Sequence, residues 1–194
     1  IYTLSLHDAL PISSLMRDAA LHRKLKLCHM RLGLGVGGND AEAVLRALPT
    51  LPLRYAAADR SARRLAEWAA RQAPFAQVLH PALPASPGHA HWQAVCGAAD
   101  AAGQGAAASL FSVVIDEKFS REQVDAFCDA LRLFRIGYSW GGPFSLVMPY
   151  ELQTMRHDWP AHLARGTLVR FAIGLEDTAD LQGDLQHAMQ QTLA

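Results

Sequence analysis

At 194 residues with 51% hydrophobic side chains, the chain is long enough to bury the core of one domain or one and a half, and too apolar for a disordered tail. Its eighteen basic and eighteen acidic residues cancel to a formal charge of zero, which removes the basic face that nucleic-acid binding requires. Three widely spaced cysteines, Cys28, Cys96 and Cys128, include no C-x-x-C pair and suggest neither a disulfide framework nor a zinc site, so a reducing cytoplasm is the simplest setting.

No apolar run approaches the ~20 residues that span a bilayer. Residues 1–13, Ile1 to Ser13, have no starting methionine and resemble a translated sequencing adapter. We set them apart as a non-native leader and expect native sequence upstream to be missing. Ser14 to Met30 is rich in helix formers and predicts a surface helix, broken by Gly33, Gly35, Gly37 and Gly38. Those glycines resemble a phosphate-cradling loop superficially, but no strand precedes them and no Lys-Ser or Lys-Thr pair closes them. Asn39 is expected to cap a helix that continues, past a disturbance at Pro49 and Pro52, to Arg71. Leu65, Trp68 and Ala69 form its apolar stripe, with Arg60, Arg63, Arg64 and Arg71 as a solvated face.

Val78 to Pro84 reads as a short extended element stopped by prolines, and a short helix carrying Trp92 follows. The Ala/Gly-rich stretch from Gly97 to Ala108 reads as a mobile surface connection. Ser109 to Ile115 is a strand by its β-branched and aromatic content. Ser120 and Gln123 have capping-box spacing, before a helix with Val124, Phe127, Cys128 and Leu131 on one face. Further strands are expected at Leu133–Ser139, Ser145–Met148 and Thr167–Ile173. Glu176 and Asp177 then open a last helix with Leu181, Leu185, Ala188 and Met189 on its apolar side. The fold class is therefore α/β to α+β, a small sheet with helices packed on it.

Two features carry chemistry. In Tyr138-Ser139-Trp140-Gly141-Gly142, two aromatics flank a serine and a glycine pair permits φ > 0 and close ligand approach; an ordinary turn with core aromatics reads the same locally. Arg170 sits in mid-strand between Val169 and Phe171, with Leu168 and Ala172 on its own face. Burying a guanidinium unpaired costs several kcal/mol, so an anion is expected to meet it: a protein carboxylate, or a ligand carboxylate held by the planar fork. Other chemistry is weakly supported. His89 and His91, or His157 and Asp158, lack the acid or cysteine neighbours of a metal site, and no G-x-S-x-G elbow activates Ser139. Cys128 lies on an apolar stripe and reads as inert core.

Tyr138-Ser139-Trp140-Gly141-Gly142, Thr167-Leu168-Val169-Arg170, Ile173-Gly174-Leu175-Glu176-Asp177 and His80-Pro81-Ala82-Leu83-Pro84 stand in one order and spacing. Together with Ala66-Glu67-Trp68, Leu110-Phe111-Ser112 and Ser145-Leu146, they resemble the C-terminal part of the cystathionine β-lyase branch of the pyridoxal-phosphate-dependent Cys/Met metabolism family. The resemblance runs from about Leu15 to the end. It implies the C-terminal part of a fold-type I PLP-dependent transferase, with residues 14–55 ending the large domain and 56–194 forming the small one. It implies a homotetrameric enzyme that cleaves cystathionine to homocysteine, pyruvate and ammonia with pyridoxal 5'-phosphate as electron sink. By position, Arg170 would hold the substrate α-carboxylate with Ser139 and the Trp140 backbone, while Tyr138 and Trp140 shape the pocket for the distal half.

The sequence also departs from the family. The attachment lysine is expected in an S-x-T-K context, which Lys24, Lys26 and Lys118 lack, so this chain is expected not to hold the cofactor covalently and to be inactive by itself. Ala47 and Pro49 replace a glycine and a basic residue of a family helix motif, and Phe144 replaces an acid before Ser145; Pro49 is expected to kink or break its helix. Two alternatives stay open: a non-catalytic small-domain protein that binds a carboxylate or a partner chain, and a γ-lyase or γ-synthase of the same family.

Overall fold

The computed structural model describes residues 18–33, 37–97, 105–155 and 157–193, and the chain divides into two compact units, residues 1–51 and 52–194. Residues 1–17, which hold the expected leader and the start of the helix expected from Ser14, and the Leu34-Gly35-Val36 part of the glycine segment lie outside the described residues. In the first unit, α1 (Ala19–Leu32) is capped by the Asp18 carboxylate, which accepts from the Leu21 amide at 2.6 Å. Gly33 ends it in the left-handed conformation that C-caps favour. Gly33 and Gly37 are thus punctuation, and α2 (Gly38–Ala47) starts from Gly37 without the side-chain cap expected of Asn39. Pro49 does interrupt the helix: a 3-10 turn, Leu48–Thr50, separates α2 from α3 (Leu51–Ala69).

The second unit is built on a five-stranded sheet. β1 (Phe75–Leu79), β2 (Leu110–Asp116), β3 (Arg135–Ile136), β4 (Leu146–Tyr150) and β5 (Gly166–Ala172) lie in the order β1-β2-β5-β4-β3, antiparallel except for the β3/β4 pair. Alternation sorts side chains to two faces. Phe111, Val113, Ile115, Val147, Val169 and Phe171 form one core with Leu65 and Ala66 of α3, with Val124, Phe127 and Cys128 of α5 (Arg121–Ala130), and with Leu181, Leu185 and Ala188 of α7 (Thr178–Thr192). The opposite face carries Ser112, Met148, Tyr150, Leu168 and Arg170, half-buried, beside the buried Val114 and Ala172. Arg170 therefore stands on a partly covered face rather than in a strand wholly enclosed on both sides.

The α5 capping box forms as its spacing predicts, with Ser120 and Gln123 bonded reciprocally. Three expectations are corrected. The strand expected over Leu133–Ser139 shortens to two residues because the Asp184 carboxylate of α7 accepts the Arg132 and Leu133 amides at 2.8–3.0 Å and withdraws them from the sheet. Arg63 is not a solvated cation: it pairs with Asp59 at 3.0 Å, donates to the Gly105 carbonyl at 2.9 Å and lies 5.4 Å from the Trp92 ring centroid. Residues 98–104 of the Gly97–Ala108 connection lie outside the described residues, but its end is pinned, since Ala106 also accepts from the Trp92 indole at 2.9 Å. The helix bearing Trp92 is α4 (His89–Cys96), and a further turn of helix, α6 (Leu152–Met155), follows β4.

Candidate active-site wall

Strand register assembles the site. Arg170 pairs across β5 with Ser112 of β2 on one side and Met148 of β4 on the other. Its stem leaves the sheet toward the segment after β3, where the chain, past the Gly137 amide's bond to the Val147 carbonyl at 3.2 Å, turns through Tyr138 to Gly142. Nη2 of Arg170 donates to the Tyr138 carbonyl at 2.7 Å and to those of Gly137 and Ser139 at 3.3 Å. Cζ lies 5.6 Å from the ring centroids of both Trp140 and Tyr150, within range of a cation–π attraction. Nε is buried and has no hydrogen-bond partner.

Of the two partners expected, a protein carboxylate is not the one found. Among the described residues no carboxylate pairs with Arg170; three main-chain dipoles and two aromatic rings meet it instead. Dipoles and rings soften the cost of a half-buried cation but leave its full charge, and the unpartnered Nε–H adds an unmet donor. An anion brought to this face gains from that charge.

The structure brings all four sequence-singled residues together: Tyr138, Ser139 and Trp140 on the turn, and Arg170 behind it. Tyr138 and Trp140 are largely exposed, 68% and 48%, so they are wall rather than core. Gly141 takes φ +75°, the conformation for which a glycine was expected there. Ser139 contributes its carbonyl to Arg170, while its side chain stands half-exposed on the turn.

Two residues of the site were not found from the sequence. Tyr150 lies beyond the expected end of its strand; alternation from Met148 would have placed it on the Arg170 face had the strand been drawn two residues longer. Glu176 was assigned to the start of α7, whose cap is instead Asp177, accepting from Ala179 at 2.7 Å. Glu176 turns back and accepts from the Ser145 amide at 2.7 Å and the Ser145 hydroxyl at 2.9 Å, and that hydroxyl accepts from the Gly174 amide at 2.9 Å. With Leu175 N–H on the Pro143 carbonyl at 2.9 Å, these bonds tie the far end of the turn to the continuation of β5.

The His80 motif builds a separate cluster. His80 has no exposed surface, and its Nδ1 accepts from the Ala82 amide at 3.2 Å, which places the ring proton on Nε2. Burial first, and the Arg63 charge second, lower its pKa from 6.5 to about 4 against the opposing pull of Asp59. On α5, burial pushes the Cys128 thiol up to about 12, with Asp125 and Asp129 adding to the shift, as an inert core residue requires. No group of three His, Cys, Asp or Glu side chains among the described residues is placed to hold a metal ion, and no described helix is long and apolar enough to cross a membrane.

Comparison with known proteins gives one consistent family. Residues 12–190 match the family described as Cys/Met metabolism PLP-dependent enzyme. A cystathionine beta-lyase of Bordetella avium is 34% identical over 177 residues, 90% of this chain and 41% of that protein. A putative cystathionine beta-lyase of Rhizobium johnstonii is 36% identical over 186 residues, 93% of this chain and 44% of that protein. Among solved structures, a cystathionine gamma synthase from Xanthomonas oryzae pv. oryzae, in complex with aminoacrylate and cysteine, superposes with a TM-score of 0.73 at 30% identity, covering 92% of this chain and 45% of the other. The chain thus spans somewhat over two-fifths of the length of these relatives.

Proposed function

We propose, from the premise that the chain belongs to the Cys/Met metabolism PLP-dependent enzyme family, that it supplies the substrate-carboxylate wall of a carbon–sulfur β-lyase acting on cystathionine. Pyridoxal phosphate is the family's cofactor and supplies an electron sink. The residues of this chain do not form its attachment site: Lys24 and Lys26 are exposed on α1, and Lys118 is exposed on the turn after β2, its ammonium 4.9 Å from the Phe119 ring centroid. Asp116, where β2 ends, is four residues along from the Arg170 partner Ser112, ~13 Å at strand rise. The isolated chain is therefore expected to be inactive.

The observation that carries the proposal is the half-buried Arg170 cation, unmet by any described carboxylate and held against the turn that carries Tyr138, Ser139 and Trp140. A substrate α-carboxylate there accepts charge-assisted bonds from the guanidinium, while Tyr138 and Trp140 flank the distal half of the amino acid. Residues 14–55 are assigned to the end of the large cofactor-binding domain and 56–194 to the small domain of a cytoplasmic homotetramer. A γ-branch reading draws support from the likeness to the solved gamma synthase.

A fusion tests the choice: the lysine-bearing part of a cystathionine beta-lyase relative followed by this chain from Asp18, given cystathionine. β-Cleavage releases pyruvate with homocysteine and ammonia, and this is the expected product. Release of 2-oxobutyrate would move the assignment to the γ-branch, and no 2-oxoacid from a cofactor-loaded fusion would sink it.

A further inference from the structure

We infer that Tyr150 is a positioning residue for the Arg170 guanidinium, holding it where a carboxylate can be met; this rests on the carboxylate-wall reading above. The strand register supplies the first argument. Met148 is the direct cross-strand partner of Arg170 and Tyr150 pairs with Leu168, so Tyr150 and Arg170 are diagonal neighbours on one face, within reach of long and aromatic side chains. The second argument is the contact itself. Cζ of Arg170 is 5.6 Å from the Tyr150 centroid, the same distance as from Trp140, and the Tyr138 ring stands edge-on to Tyr150 with centroids 6.3 Å apart.

The two rings differ in what carries them. Trp140 rides on the irregular turn and is 48% exposed, whereas Tyr150 ends β4 and is half-buried. Tyr150 is thus the ring fixed by the sheet, and the one able to restrict the flexible arginine stem before any ligand arrives. Its aromatic face does this by attracting the cation, so the phenolic oxygen is dispensable.

The test uses the 194-residue chain labelled with ¹⁵N-arginine, with the Arg170 Nε–H signal assigned by its loss in Arg170→Lys. Tyr150→Phe is expected to leave the shift and hydrogen exchange of that signal at wild-type values. Tyr150→Leu keeps apolar bulk without a ring and should move the signal and speed its exchange about three- to tenfold. Wild-type exchange and shift in Tyr150→Leu would overturn the inference; should that variant fail to fold, Tyr150→Met carries the same comparison. Titration with sodium acetate separates the underlying reading. Acetate that shifts the wild-type signal, more weakly in Tyr150→Leu, supports both. A Tyr150-dependent signal indifferent to acetate upholds the positioning role and overturns the carboxylate assignment.

Discussion

Acidification should destabilise this chain through His80 in a way that one substitution removes. The imidazole is buried beside the Asp59–Arg63 pair of α3, with its pKa lowered from 6.5 to about 4. An unfolded chain binds a proton at that histidine below about pH 6.5, while the folded chain holds it neutral down to about 4. Between those values the unfolded state carries more protons, so stability is full above the unfolded pKa and declines as pH falls. At about 1.4 kcal/mol per pH unit the whole interval corresponds to ~3 kcal/mol, a large share of a small domain's stability. Acidification acts on other parts of the chain as well, so wild-type data are insufficient. The comparison is with His80→Asn, whose Oδ1 replaces the Nδ1 acceptor for Ala82 and does not titrate. Urea unfolding followed by far-ultraviolet circular dichroism at pH 7.5 and 4.5 should show wild type losing about 2 to 3 kcal/mol more than the variant over that range. Equal losses would refute the reasoning.

In the fusion enzyme, Arg170→Ala should raise KM for cystathionine about 10- to 100-fold, the effect of a charge-assisted bond worth ~1.5–3 kcal/mol; an unchanged KM would remove Arg170 from carboxylate binding. Gly174→Ala should destabilise the chain by ~1–3 kcal/mol, because a Cβ there meets the Pro143 carbonyl at 2.4 Å and Glu176 Oε2 at 2.5 Å; wild-type thermal melting would show that the turn yields. Native labelling with a thiol reagent near pH 8 should modify exposed Cys28 and spare Cys128, so Cys128→Ser should leave native-state stoichiometry unchanged and lower it only in denaturant.

Local chemistry was legible in the sequence wherever cause and effect lie within a few residues. The Ser120–Gln123 box and the stripe of Val124, Phe127, Cys128 and Leu131 depend on one helical turn, and each forms where its spacing puts it. Arg170 was visible because a mid-strand cation contradicts its own surroundings. What escaped depends on pairing across the chain. Arg63 looks solvated until Gly105, forty-two residues away, brings a carbonyl to it. Glu176 has the composition of a helix start, but the first turn of α7 does not need its carboxylate once Asp177 has capped it, and Ser145, thirty-one residues earlier, offers that carboxylate two donors. Tyr150 becomes a site residue only when β4 and β5 are set in register. Helical period says which face is apolar, whereas strand register decides what lies opposite, and no local pattern encodes that choice.

The same distinction explains how a turn with two largely exposed aromatics holds its shape. Its entry is fixed through the carbonyls of Gly137, Tyr138 and Ser139 by Arg170, and its exit through Pro143 and Ser145 by Gly174, Leu175 and Glu176. Both sets of anchors come from β5 and the residues that continue it, so one strand specifies the backbone of the turn while the rings of Tyr138 and Trp140 contribute little burial of their own. Changes to those rings should therefore alter what the wall recognises at small cost in stability. Changes to Arg170 or Glu176 should alter recognition and folding together, since the first frees the three carbonyls that fix the entry of the turn and the second leaves the buried Ser145 without its acceptor. Gly141, in the left-handed conformation between the two anchored ends, lets the turn close without strain. On the carboxylate-wall proposal the aromatic segment is the recognition surface, and β5 is the element that gives it a fixed form.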